Sequence, residues 1–159
     1  MTANFNDEAI DAVFDRIESW AMNSGRFATV NGHEPKSAPQ GDVDFALWVQ
    51  DIQNVGKISG MGAASGLLTL QGRVYVPFLS QPFDAIDPRV LAATNDMMAA
   101  LCADFDFDGI SSVRNIDVFG STGVKLRAQA GYVEIDRKTF RVMTITIPVI
   151  INDMFNLGS

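Results

Sequence analysis

Residues 102–115, CADFDFDGISSVRN, set carboxylates at Asp104, Asp106 and Asp108 and a glycine at Gly109. That spacing opens a helix–loop–helix calcium site, in which oxygen ligands alternate along the loop, glycine makes a sharp turn and a bidentate glutamate closes the cage. The closing position here is Asn115, which cannot supply a bidentate carboxylate, and Val113 to Gly120 reads as a strand rather than the second helix. A simpler reading turns Phe105 and Phe107 into a core and the three carboxylates to water, with Asp108-Gly109 as a turn. Gly60-Met-Gly62-Ala-Ala-Ser65-Gly66 resembles a dinucleotide fingerprint, but that motif needs a strand before it and a helix after it. A strand follows instead, so a flexible loop joining two strands is expected. His33, the only histidine, has Glu34, Lys36 and Ser37 nearby. Without a nucleophile elbow or an oxyanion site it reads as a polar turn residue beside Pro35. Paired carboxylates for glycoside hydrolysis show no local pattern. These candidates leave no catalytic residue, no metal ligand and no cofactor to assign.

A different arrangement lies near the start. Asp7, Asp11, Asp15 and Glu18 follow at helical spacings of four, four and three. Like charges so placed repel and cost a helix a few tenths of a kcal/mol per pair. The face is either simply solvated or a surface meant to be negative.

The chain that must position these groups has 159 residues, 47% of them hydrophobic and 19% charged, a globular balance that fits one domain spanning 1–159. Its net charge is −7, and a clustered basic footprint for nucleic acid is lacking. Lys125, Arg127, Arg137, Lys138 and Arg141 fall on two neighbouring strands and read as solvated faces. Apolar runs are too short to span a membrane. The N-terminus shows neither a basic region nor an apolar signal segment, so export is not expected. The single Cys102 excludes an intrachain disulfide.

A first helix is expected from about Asp7 to Asn23, with Ile10, Val13, Phe14, Ile17, Trp20 and Ala21 as its apolar stripe, Asn6 as N-cap, Phe5 stapled to Ile10, and Gly25 as the stop. A short strand follows, then strands at 45–53 and 67–79. The latter carries Leu68, Leu70, Val74, Val76 and Phe78 on one face and Leu67, Thr69, Gln71, Arg73 and Tyr75 on the other. A second helix starts at Asp87-Pro88, buried through Val90, Leu91, Met97, Met98, Leu101 and Cys102. Three strands, at about 113–119, 124–135 and 139–151, complete an α+β fold: a mainly antiparallel sheet flanked by two amphipathic helices. Pro148 marks an edge or bulge, and Asp136-Arg-Lys138 a hairpin turn.

Several segments in order carry a resemblance: His33-Glu-Pro-Lys-Ser-Ala-Pro39, Ala46-Leu-Trp-Val-Gln50, Gly72-Arg-Val-Tyr-Val76, Asp84-Ala-Ile-Asp-Pro88, Ala128-Gln-Ala-Gly-Tyr132, Phe140 to Pro148, and Asn152-Asp-Met-Phe155. Together they resemble the tail terminator proteins of long-tailed, siphovirus-type phages of actinobacteria, relatives in kind of the minor tail protein U of lambda-like phages. The resemblance spans nearly the whole chain and includes no catalytic signature. It implies a structural virion protein, not an enzyme. Such proteins form a hexameric ring that caps the tail tube, ends its polymerisation and forms the tail side of the head–tail junction. Partners would be further copies of the chain, the tail tube protein and a neck or connector protein. Assembly in the host cytoplasm and a place in the virion tail follow, with no membrane involved. A stopper or connector ring, a small hydrolase or ligand-binding domain, and a calcium module are the alternatives.

Both faces of strands 67–79 and 139–151 are partly apolar, leaving surplus for neighbours beyond one helical layer. Lys57, Ile58, Met61, Leu67, Tyr75 and Phe155 are the candidate subunit or tube contacts, and Asp7, Asp11, Asp15 and Glu18 the candidate acidic lining of the bore. Six copies of a −7 chain would repel DNA passing through the ring rather than trap it.

Overall fold

The computed structural model describes residues 5–56, 62–79 and 82–157, with side chains for residues 8–56, 62–79, 82–155 and 157. Helix α1 (Phe5–Asn23) is followed by strands β1 (Thr29–Asn31), β2 (Asp44–Asn54) and β3 (Ala63–Pro77). Helix α2 (Ile86–Ala103) and strands β4 (Val113–Ile116), β5 (Arg127–Ile135) and β6 (Lys138–Asn156) complete the order. The fold is mixed α+β, as expected.

Strand β6 organises the sheet. One of its edges pairs antiparallel with β3 along nearly its full length. The other takes β5 over residues 138–146 and then β4 over residues 149–151. Pro148 falls at this change of partner, so the lack of a proline donor costs neither β5 nor β4 a rung. Beyond β3 come β2, antiparallel, and β1, which pairs in parallel with Asp44–Ala46 only. Register offsets interrupt β2 between Val49 and Asp51 and β3 between Ala64 and Gly66. Gly72 lies under the Phe45 ring, where a Cβ would come within 2.8 Å of Cζ.

The helices cover one sheet face. Helix α1 buries Ala9, Val13, Ile17 and Ala21, one residue per turn, with Ile10, Phe14 and Trp20 flanking the stripe. It stops where predicted, Gly25 taking φ +72°. The expected N-cap does not hold, because the helix already includes Asn6; the Phe5–Ile10 staple lies outside the described side chains. Helix α2 begins earlier than its Asp-Pro signal, after a 3₁₀ turn at Phe83–Ala85. Asp87 is therefore inside the first turn rather than capping it, and Pro88 sits where backbone donors lack helical acceptors. Its buried face is Ile86, Val90, Ala93, Thr94, Met97 and Leu101. Leu91 and Cys102 of the expected stripe are exposed, and the Thr94 hydroxyl is satisfied by donating to the Val90 carbonyl at 2.7 Å.

The opposite sheet face carries a smaller cluster of Ala46, Tyr75, Phe140 and Val142, with Ala38, Trp48, Val133 and Ile135 packed on it. The segment bearing Ala38 is held there by its N–H, which donates to Asp136 Oδ2 at 3.0 Å. Asp136 and Arg137, at φ +50° and +64°, form a two-residue turn with Ile135 paired to Lys138, the geometry that suits the twist of a tight hairpin.

Candidate functional site

The aspartate-rich stretch does not fold as a strand. Asp104 ends α2, and turns carry the chain to β4. Phe107 is buried against Trp20 at φ +49°, while Phe105, expected inside, is half exposed, because turns do not alternate faces. The carboxylate of Asp104 accepts from Arg16 at 2.5 Å, and Arg16 also donates to the Asp108 carbonyl at 2.6 Å. This pair ties the end of α2 to α1. Among the described residues, no three His, Cys, Asp or Glu side chains converge as metal ligands would. Of the glycine-rich segment, residues 63–66 belong to β3, not to a loop. His33 is exposed, with its ring against the carbonyl of Glu34 at 3.2 Å.

The acidic candidates separate. Asp11 and Asp15 are exposed along α1. Glu18 is half-buried against the turn at Gly32, where an added Cβ would touch its carboxylate. Burial, and then the charge of Asp15, push its carboxyl above the usual range. The side chain of Asp7 lies outside the described residues. So do Lys57, Ile58 and Met61. Leu67 and Tyr75 are each 1% exposed and offer no surface to a neighbour in this fold. Phe155 is half-buried against the main core.

The surface that does stand out surrounds the start of α2 and the β5–β6 hairpin. Strand β3 ends at Pro77, so Phe78 leaves the core face it was expected to share and turns outward with Leu79, which is 76% exposed. Phe83, Tyr132 and Leu91 are also exposed large apolar side chains. Phe78 and Tyr132 meet edge to face at 6.0 Å, and Arg141 lies over the Tyr132 ring at 4.6 Å. Asp87 accepts from the same arginine at 3.1 Å. These groups line a depression of about 420 Å³, and a second of about 410 Å³ runs on past Pro88, Leu91, Ala130 and Met143. An exposed apolar area framed by one ion pair suits association with another protein surface. Sequence reading missed it. Phe78 was placed on a strand that in fact ends one residue before it, at Pro77, and Arg141 and Asp87 are far apart in the chain. The isolated Tyr132 in an otherwise small and polar stretch was the available signal.

The loop after β4 is organised by a buried carboxylate. Asp117 accepts from the N–H groups of Gly120, Ser121 and Thr122 at 3.1, 2.8 and 2.8 Å, and from the Ser121 and Thr122 hydroxyls. Burial alone would raise its pKa; the hydrogen bonds from Thr122 and Ser121 together outweigh that and hold it below the usual carboxylate range. Ser121 and Thr122 share a depression with Leu67 and Ile150 on the sheet face opposite the helices.

No family model matches the chain, and no curated protein matches it. Among solved structures it is similar to the PVC sheath/tube terminator of an extracellular contractile injection system in its extended state. The identity is 13% and the TM-score 0.37, over 94% of this chain and 58% of that one, so the chain spans less than two thirds of that neighbour's length.

Proposed function

We propose that the chain is a tail terminator: a structural virion protein that closes into a ring, six copies in the form the resemblance implies, and caps the tail tube at the head–tail junction. The observation that carries this reading is the apolar surplus at the rim of the sheet. Phe78, Leu79 and Tyr132, with Phe83 and Leu91 at the start of α2, are exposed toward the β5 edge, and Val49 and Ile52 at the β2 edge. Apolar groups on two separate sides suit a head-to-tail contact, which generates a ring when its rotation closes. The ordered sequence segments support the same role. Asp11 and Asp15, exposed on α1, are assigned to the surface facing DNA in the bore, where negative charge lets the polymer slide.

The test is electron microscopy of purified protein mixed with tail tubes in the absence of capsids. The reading expects a ring at one end of each tube and tubes that stop lengthening. Bare tube ends that keep growing would overturn it, and rings bound only to capsid necks would assign the chain to the neck.

A further inference from the structure

The sheet ends in two unequal open edges. On one side β1 covers β2 only at Asp44–Ala46, so that residues 47–54, paired with β3 on their inner edge, have no strand partner on their outer edge among the described residues. On the other, β4 is met by the turn before it, Ile116 N–H donating to the Phe105 carbonyl at 2.6 Å. The outer edge of β5 has no strand partner among the described residues. Its two-residue hairpin makes Ile135 and Lys138 a hydrogen-bonded pair. By alternation, residues 128, 130, 132 and 134 then turn their N–H and C=O groups away from β6.

The two edges complement each other in direction, apolarity and charge. Strands β2, β3, β6 and β5 run alternately antiparallel, so a second copy's β2 laid beside β5 continues the alternation. On the helix side of the sheet, β5 offers Tyr132, 60% exposed. On the same side β2 offers Val49 and Ile52, opposite the core residues Leu70 and Leu68 yet 39% and 44% exposed. Joining the edges with both sets of helices on one side buries these groups against each other. On the other side of the sheet lie exposed Asp51 on β2 and exposed Arg127 on β5, neither in an ion pair among the described residues. The offset at Val49/Asp51 would keep the joint to a short ladder.

We infer that β5 of one copy adds as an antiparallel strand to residues 47–54 of the next copy's β2, making one continuous sheet around the assembly. This rests on the ring reading above. Assembly is measured on the full chain by native mass spectrometry, alongside amide hydrogen exchange of the wild type. The amides of residues 128, 130, 132 and 134 are expected to exchange at least about tenfold more slowly in the assembled form than in the protomer. Asp51→Arg and Arg127→Asp should each raise the protein concentration needed for assembly about tenfold, and the double variant should bring it back. Ala130→Pro, which removes an outward donor, should block assembly while leaving the hairpin intact. Rings whose β5 amides exchange as fast as in the protomer, or that form equally well in all the variants, overturn this joint and leave the ring reading standing. A wild-type chain that stays a protomer, alone and on tail tubes, overturns both.

Discussion

Replacing Asp117 tests whether one carboxylate holds the loop between β4 and β5. In Asp117→Ala the N–H groups of Gly120, Ser121 and Thr122 lose their acceptor. A hydrogen bond to a charged group contributes about 1.5–3 kcal/mol, and an orphaned buried donor costs about 1–3 kcal/mol. Ser121 is exposed, and Gly120 and Thr122 half-exposed, so water recovers part of the loss. Counting about two unrecovered bonds gives a loss of about 3 kcal/mol. At about 2–4 °C per kcal/mol for a chain of this size, Tm should fall by about 6–12 °C. Asp117→Asn keeps the shape but loses the charge and one acceptor oxygen, and should fall in between. Because the folded carboxyl is held below its ordinary pKa, its contribution is fully present above about pH 4 to 5 and is lost as pH falls through the folded value. The gap in Tm between wild type and Asp117→Asn should thus be flat from pH 8 to about 5 and narrow in more acidic buffer. Calorimetric melts across that range measure it. An Asp117→Ala melt within about 2 °C of wild type, or a gap that widens with acid, would show that the carboxylate does not hold the loop.

Other outcomes follow from the same geometry. Calcium should leave Tm unchanged, whereas a site held at a hundred times its Kd would add about 2.7 kcal/mol; Asp104→Ala should cost about 1 kcal/mol by freeing Arg16, read by denaturant melts. Thr69→Val removes a buried hydroxyl that has no hydrogen-bond partner among the described residues and should stabilise the chain by about 1 kcal/mol, read by the same melts. Glu18→Gln should raise Tm at pH 7, because the folded site disfavours the carboxylate. That advantage should shrink as pH falls and the wild-type Glu18 takes up its proton.

The periodic parts of the sequence reveal the fold, since periodicity is set by burial. The α1 stripe, the two faces of β3 and the alternation of β6 could be read directly. What was hidden depends on contacts across the chain. The start of α2 moved ahead of its Asp-Pro signal, and Asp87 is turned to Arg141 on a distant strand. The Phe105–Phe107 alternation failed because the Arg16–Asp104 pair accompanies a set of turns that no local pattern encodes. The apolar candidates Leu67 and Tyr75 were correctly seen as lying on the second face of β3. That face is used within the chain itself, beneath the segment carrying Ala38 and beside the Asp117 loop. The surplus apolar surface lies instead just past the end of β3, at Phe78, and on the outer strand β5, at Tyr132.

A ring of this chain on the end of a tail tube would be visible in electron micrographs of the purified protein added to growing tubes. A six-fold cap at one end and arrested growth are expected; tubes that lengthen past the protein, with no density at their ends, would rule the terminator role out.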